Sequence, residues 1–214
     1  SPTPDATAAS ALTLPVDGVV CGVIVLYAGG THVFDDDEMK LLTELAGDIA
    51  YALDYIEKKE RLDYVAYYDP LTELTNRSLF EDRVSQLINA HADAHQRTAV
   101  VVLALERFKL VNDSLGRQAG DVLLKLVGRR LRDAVPGNAT VARLGADAFA
   151  FSLSDIREHA DVARLIGERV TAALSEPFTV NGHTLRVAFK SGVAIFPGDG
   201  DDAESLLKNA ETAL

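Results

Sequence analysis

The sequence predicts an α+β fold in which a central, mostly antiparallel sheet is flanked by helices. Its apolar pattern changes between helical and strand periodicity, in the order helix, strand, helix, strand, strand, helix, strand, strand, helix. Residues 99–105 are apolar throughout, which is typical of a strand at the centre of a sheet. The Asn181-Gly182 pair is a strong signal for a hairpin turn. We expect a further strand and one long helix to precede this sheet.

Composition and charge restrict the partners and the compartment that we expect. The chain has 214 residues, 48% of them hydrophobic, and a formal net charge of −11. This acidic balance repels the backbone of nucleic acids, so we expect no nucleic-acid partner. Cys21 is the lone cysteine, which excludes an intrachain disulfide and favours a reducing, cytoplasmic compartment. Because Cys21 lies in an apolar run, we expect it in a core.

The N-terminal part is predicted to contain a strand and a long helix. Residues 1–14 form either a loose segment or the remnant of a strand. Residues 19–28 are rich in valine and predict one buried strand. From residue 38 the spacing of three and four predicts a helix with a wide apolar face or a short coiled-coil seam, formed by Leu42, Leu45, Ile49, Ala52 and Ile56.

The Asp69-Pro70 pair ends this helix, because a proline disfavours helical backbone in the residue before it. Thr75 or Asn76 can cap the next helix with its side-chain oxygen. The core face of that helix is predicted to comprise Leu79, Phe80, Val84, Leu87 and Ile88.

A polar segment over residues 108–121 follows the strand at 99–105. In it, Asn112 and Asp113 can cap a turn and Asp121 can cap a helix, or Asn112 and Asp121 can bind a ligand. The helix that follows directs five apolar residues inward, namely Val122, Leu123, Leu126, Val127 and Leu131.

Residues 139–153 predict two short strands joined by a tight turn. Phe149, Phe151 and Leu153 alternate with small residues, which puts them on one buried face. Gly145 supplies the backbone freedom that we expect the turn to need. Asp147 is the carboxylate at its tip, where it belongs either to an ordinary polar turn or to a site for a metal or a phosphate.

The C-terminal part continues the same alternation. An amphipathic helix is predicted over 158–174, a hairpin over 178–187 and a strand over 193–196. Residues 202–214 begin a helix that we expect to be cut off.

Two motifs resemble those of GGDEF domains, the diguanylate cyclases. Residues 143–149 read Arg-Leu-Gly-Ala-Asp-Ala-Phe, similar to the family signature Arg-Tyr-Gly-Gly-Asp/Glu-Glu-Phe. Residues 69–77 match the family pattern Asp-x-Leu-Thr-x-Leu-x-Asn-Arg. The likeness covers 67–214 and implies the palm-like fold of nucleotide cyclases.

The resemblance also divides the chain. Residues 1–37 resemble the end of a GAF sensor domain, as a strand and loop, and 38–66 form a connecting, signalling helix. Residues 67–214 form a GGDEF domain that is truncated at its C-terminal helix. The ending from Phe196 is similar to GGDEF domains that precede an EAL phosphodiesterase, which implies such a partner domain.

The resemblance implies that key carboxylates are missing. Alignment on the family's Asp-x-Asp-x-Phe-Lys puts Ala104 at the metal-binding aspartate and Glu106 at the second aspartate. Ala148 replaces the catalytic acid, and Ala146 adds a methyl group where the backbone usually approaches phosphate. Asp147 keeps the metal-ligand position as a remnant. We therefore expect no catalytic residues and little or no cyclase activity.

The family's nucleotide-binding positions are better kept. Asn112 and Asp121 match the positions that bind the guanine edge, and an aspartate suits the two N–H donors of guanine. The resemblance adds Phe108, Lys109 and Gly145 to this site. We expect no cofactor other than Mg²⁺, and Mg²⁺ only together with bound GTP.

The sequence is compatible with three functions. The first is a degenerate GGDEF domain in cyclic di-GMP signalling that binds GTP and regulates an adjacent EAL domain. The second is a ligand-free dimerisation and relay module, with a homodimer formed through the helix at 38–62. The third is a residual cyclase that makes cyclic di-GMP from GTP, with Glu106 or Asp113 in place of the missing acids.

The chain departs from the family pattern at one further position. Lys190 replaces the serine that the family has before the last strand.

Overall fold

The computed structural model describes residues 7–30, 34–91, 97–156 and 159–214. The elements follow in chain order as β1 (Ala8–Val16), β2 (Val19–Ala28), α1 (Asp36–Tyr67), α2 (Arg77–His91), β3 (Arg97–Leu105), α3 (Phe108–Leu115), α4 (Arg117–Ala134), β4 (Val141–Arg143), β5 (Ala148–Ile156), α5 (His159–Leu165), a π-helical turn (Ile166–Val170), α6 (Thr171–Ser175), β6 (Phe178–Val180), β7 (His183–Leu185), β8 (Phe189–Phe196) and α7 (Ala203–Thr212). No helix in this described part combines the length and apolar character that a membrane crossing requires.

The first of two compact units comprises Ser1–Asp63. In it, β1 and β2 form an antiparallel hairpin that packs against helix α1. Asp35 caps α1, because its carboxylate accepts a 2.9 Å hydrogen bond from the Glu38 N–H. The core of this unit is small and comprises Leu12, Leu14, Ala46 and Ala50, with Ile24, Leu26, Met39, Leu42 and Ile49 around them.

Two expectations for this unit are wrong. Strand β2 is not buried, because the described hairpin and helix cover only one of its faces; the other face exposes Val19, Val23, Val25 and Tyr27. Cys21 is exposed rather than in a core, and its thiol donates to the Leu14 carbonyl at 3.0 Å. Of residues 1–14, those from Ala8 onward form strand β1 and the first six lie outside the described residues.

The second unit comprises Tyr64–Leu214 and is built on a four-stranded sheet. The strand order is β4-β5-β3-β8 and every pair is antiparallel, with β3 central as its apolar sequence predicts. One face of the sheet packs against α4 and the segment from α5 to β6, and the other packs against α2 and α7. Alternate residues of β3 therefore enter different cores: Val101 and Leu103 enter the first, Val100 and Val102 the second.

Turns and caps agree with most of the sequence signals. Asn181 and Gly182 both have positive φ, of 49° and 82°, and join β6 to β7 in a separate two-stranded sheet. Asp202 caps α7 by accepting from the Ser205 N–H at 2.7 Å. The helix expected over 158–174 is interrupted by the π-helical turn, and its first residue lies outside the described residues.

Candidate functional site

Three side chains lie in one row across the central strands. Ala104 of β3 is directly opposite Ala148 of β5 on one side and Lys190 of β8 on the other. Residues that are directly opposite in a sheet project from the same face, so the two methyl groups and the lysine stem share one face near the end of β3. The methyl groups occupy the two positions at which the resemblance implied carboxylates.

The Lys190 ammonium adds a positive charge to this row. Its Nζ lies 3.9 Å from Oε1 of Glu106, and the two side chains are 61% and 40% exposed. Asp147 is half-buried at the neighbouring hairpin tip, where its carbonyl accepts a 3.0 Å hydrogen bond from the Leu105 N–H. The tip is therefore held against the end of β3.

These residues do not fit a magnesium ion. Mg²⁺ requires oxygen ligands in near-octahedral geometry, whereas alanine offers none and an ammonium repels the ion. Within the described ranges, no group of three or more His, Cys, Asp or Glu side chains could hold a metal. Of the acids near the row, Asp147 lies at the hairpin tip and the carboxylate of Glu106 lies beside the Lys190 ammonium.

The side chain of Arg143 holds the hairpin tip through hydrogen bonds. Its Nε donates to the Gly145 carbonyl at 3.0 Å, and one terminal nitrogen donates to the Ala146 carbonyl at 3.1 Å. Gly145 does not have a positive φ, and a Cβ added there would meet no atom within 4 Å. The expectation that this turn needs the backbone freedom of glycine is therefore wrong, because Arg143 holds the tip through its carbonyls.

The same guanidinium binds Asp69 in the segment after α1. Its other terminal nitrogen lies 3.1 Å from both carboxylate oxygens of Asp69, and the two side chains are only 13% and 18% exposed. Asp69 also accepts from the Thr72 N–H at 2.8 Å and from its hydroxyl at 2.6 Å. Burial raises the pKa of Asp69, but the hydrogen bonds from Thr72 and Arg143 outweigh it, so the pKa lies below its ordinary value.

The residues expected to bind a base surround Gly120 of α4. A Cβ at Gly120 would overlap the Asn112 Oδ1 and approach the Phe108 Cζ to 3.1 Å, so both side chains lie directly against this glycine. Asp121 is the next residue and is exposed, and Lys109 is exposed on α3. Asp121 lies inside α4 rather than before it, so its interpretation as a helix cap is wrong.

A single amide connects the ends of two helices. Asn76 Oδ1 accepts from the Leu79 N–H at 3.0 Å and so caps α2, as predicted. Its Nδ2 donates to the carbonyls of Val65 and Ala66 at the end of α1, at 3.3 and 2.9 Å. The end of α1 is thereby fixed to the segment that carries Asp69.

Most of the chain matches a known protein family. Residues 66–214, about 70% of the chain, match the family described as diguanylate cyclase, GGDEF domain. The chain belongs to the GGDEF family. Residues 1–54 match the GAF domain family, which agrees with the resemblance at the N-terminus.

The GGDEF relatives act in cyclic di-GMP signalling. MucR of Pseudomonas aeruginosa, a bifunctional diguanylate cyclase/cyclic di-GMP phosphodiesterase, is 39% identical over 70% of this chain and 22% of its own length. NbdA, a cyclic di-GMP phosphodiesterase of the same organism, is 37% identical over 72% of this chain and 19% of its own. The chain thus spans about a fifth of the length of these curated relatives.

Solved structures agree with the fold. The GGDEF domain of TpbB from Pseudomonas aeruginosa superposes with a TM-score of 0.66 at 33% identity, covering 69% of this chain and 86% of that one. Residues 66–214 therefore form a GGDEF domain with the expected α+β, cyclase-like fold.

Sequence reasoning did not find two interactions of this GGDEF domain. The Arg143–Asp69 pair joins two motifs that were each recognised but not connected, because their contact depends on tertiary structure. The Lys190–Glu106 pair depends on the register between β3 and β8. Its only sequence signal was a lysine at a position where the family has serine.

Proposed function

We propose that this chain is a catalytically degenerate GGDEF domain that binds GTP and regulates an adjacent EAL phosphodiesterase domain. The single observation that carries the proposal is the pairing of Ala104 with Ala148 at the centre of the site. Both positions carry methyl groups where cyclase chemistry requires oxygen atoms.

The chemistry explains why these positions matter. Joining two GTP molecules requires a hydroxyl of one to attack the α-phosphorus of the other, with charge building on the phosphate oxygens. Metal ions held by carboxylates stabilise that charge, and a further carboxylate accepts the proton. Ala104 and Ala148 can do neither, and Lys190 opposite Ala104 opposes metal binding. Catalytic groups act as one unit, so their joint loss removes most of the rate.

The base-binding positions support retained GTP binding. Asn112 and Phe108 are packed against Gly120, next to the exposed carboxylate of Asp121. An aspartate accepts hydrogen bonds from the N–H donors of guanine and rejects adenine, which offers a different edge. The open space above Gly145 leaves room for a phosphate to approach the hairpin backbone.

The path from helix to hairpin supports a regulatory role. Asn76 holds the end of α1, and Asp69 in the same segment binds Arg143, which holds the hairpin tip. We assign residues 1–37 to a GAF remnant, 38–66 to the signalling helix and 67–214 to the GGDEF domain. The phosphodiesterase relatives support an EAL partner, and the free thiol of Cys21 suits a reducing cytoplasm.

Calorimetric titration of the purified chain with GTP tests the binding part. We expect binding that Asp121→Ala weakens by at least about tenfold, because it removes a charged hydrogen-bond acceptor. The matched control is Asp133→Ala, which removes an exposed carboxylate at the other end of α4 and leaves the affinity unchanged. If no heat is measured at millimolar GTP, the proposal that the chain binds GTP is wrong.

Chromatography of the same samples tests the loss of catalysis. Incubation with GTP and Mg²⁺ is expected to yield no cyclic di-GMP. A residual cyclase using Glu106 or Asp113 predicts product with Mn²⁺, which Glu106→Gln or Asp113→Asn abolishes. Detectable product would overturn the degenerate assignment.

A dimerisation and relay module is the second candidate, favoured by the exposed side chains of α1. Leu45 and Ile56 are 53% and 50% exposed, and Leu41 is more exposed still. Leu45→Asp is expected to convert a dimer to a monomer in light scattering, whereas Thr43→Asp, at an exposed polar position, leaves it intact. Ile49 packs in the core with β1 and β2, so its replacement does not test the dimer.

A further inference from the structure

We infer that this domain binds its nucleoside triphosphate without a divalent cation, with the Lys190 ammonium as the resident counter-charge. The inference rests on the GTP binding proposed above and concerns how the triphosphate is neutralised. It follows from a mismatch: the residues present do not fit Mg²⁺, yet a triphosphate needs positive charge beside it.

The position of Lys190 is the first argument. It lies directly across from Ala104, the position at which the family resemblance implies a metal-binding aspartate. Ala104, Ala148 and Lys190 project from one face, so the ammonium lies on the face where a metal ion would be held. A lysine there supplies a fixed positive charge and also repels a free cation.

The weakness of its present ion pair is the second argument. Lys190 is 3.9 Å from Glu106, near the limit for an ion pair, and both side chains are substantially exposed. Exposed pairs of this kind contribute little to stability, because water competes for both charges. The ammonium can therefore leave Glu106 for a phosphate, which carries more charge and more acceptor oxygens.

The lack of a group of carboxylates able to hold a metal is the third argument. In the described residues, Asp147 is the acid that remains at the hairpin tip, and no group of acids able to hold a metal surrounds it. Asp147 and Glu106 are the two carboxylates beside the row, and the Lys190 ammonium lies 3.9 Å from Glu106, which reduces the negative charge that attracts a divalent ion. A lysine binds phosphate as a point charge and needs no metal to do so.

Titration with GTP in EDTA and in excess Mg²⁺ tests this inference. We expect EDTA to leave the affinity of the native chain unchanged or to raise it, because Mg²⁺ competes with Lys190 for the triphosphate. Lys190→Ser is expected to lower the affinity in EDTA by at least about tenfold, and Lys190→Arg to retain it. Lys208→Ser, at an exposed position of α7, is the matched control and leaves the affinity unchanged.

A double variant that exchanges the ammonium for a carboxylate provides a second test. Ala104→Asp combined with Lys190→Ser restores a carboxylate and removes the ammonium, so binding should become stronger in Mg²⁺ than in EDTA by at least about tenfold. Thermal unfolding of each variant checks that it is folded.

Different results would contradict GTP binding and binding without a divalent cation. Binding by the native chain only in Mg²⁺, or an unchanged affinity of Lys190→Ser in EDTA, overturns the resident-cation inference and leaves GTP binding standing. No binding under either condition overturns the GTP proposal, and this inference falls with it.

Discussion

The guanidinium of Arg143 binds both carboxylate oxygens of Asp69 at 3.1 Å, although 74 residues separate them in the chain. Through its remaining nitrogens, Arg143 also holds the Gly145 and Ala146 carbonyls of the hairpin tip. One side chain therefore links the segment after α1 to the tip that carries Asp147. In the proposed relay, a shift of α1 reaches the tip through this contact.

Removal of this guanidinium should destabilise the second unit. Arg143→Ala leaves Asp69 largely buried without its charged partner, so we expect the free energy of unfolding to fall by about 2–3 kcal/mol. Urea denaturation measures it. Arg164→Ala, which removes an exposed guanidinium 3.0 Å from Asp161, is the matched control and should change it by less than about 1 kcal/mol. Equal losses in the two variants would contradict a special role for Arg143.

Stability should depend on pH through Asp69. Because its pKa is lower in the folded protein than in the unfolded chain, its contribution is fully present above the unfolded pKa of about 3.9. It is lost as the pH falls through the folded pKa. The stability difference between the native chain and Asp69→Asn should therefore shrink as the pH falls below about 4.

Urea denaturation at a series of pH values measures this difference. Thr72→Val removes one hydrogen bond to the Asp69 carboxylate and should raise its pKa, which carboxyl resonances in NMR would report. A difference that stays constant below pH 4 would mean that Asp69 is not the group responsible.

Local patterns in the sequence predict most of the fold. The alternation of helical and strand periods predicts the elements, and the uniform apolarity of 99–105 predicts the central place of β3. Burial in the first unit was not predictable, because it depends on what covers each face: β2 is apolar throughout yet exposed on one face. The π-helical turn after α5 has no comparable sequence signal.

In the candidate site, too, the sequence predicts some features and not others. Asn112, Asp121 and the three alanines are proposed for the site because motifs place them by spacing. The contacts of Lys190 with Glu106 and of Arg143 with Asp69 were not found, because strand register and tertiary packing bring these residues together. Motifs thus predict which residues lie in the site, whereas their partners require the structure.

Gly120→Ala should separate ligand binding from stability. The added methyl group displaces the Asn112 amide, so we expect GTP affinity to fall by at least about tenfold. Stability should change by less than about 1 kcal/mol, because the higher helix propensity of alanine offsets the crowding against Phe108. Gly47→Ala in α1, where a Cβ meets nothing within 4 Å, is the matched control and should leave affinity unchanged. Unaltered affinity in Gly120→Ala would argue against Asn112 as a ligand.

Glu73→Gly should stabilise the second unit. Glu73 has a φ of 60° in the turn between Asp69 and Leu74, a left-handed conformation that is unfavourable for residues with a Cβ. Its side chain is exposed, so its loss removes few contacts. We expect a gain of about 0.5–1 kcal/mol in urea denaturation. Glu73→Ala keeps the Cβ and should show no such gain; an equal gain would attribute the effect to the lost charge.

The two roles of Asn76 can be separated by substitution. Serine and aspartate both accept a hydrogen bond at a helix N-cap, so Asn76→Ser and Asn76→Asp each keep the cap on α2. Neither reproduces the amide that donates to the Val65 and Ala66 carbonyls, and aspartate adds a negative charge facing both. Asn76→Asp should therefore be less stable than Asn76→Ser by about 0.5–1 kcal/mol, and Asn76→Ala should lose about 1–2 kcal/mol relative to the native chain. Urea denaturation measures all three, and a serine variant as stable as the native chain would mean that the contact with α1 contributes nothing. Because that contact fixes the end of α1 to the Asp69 segment, the same measurement tests the first step of the proposed relay.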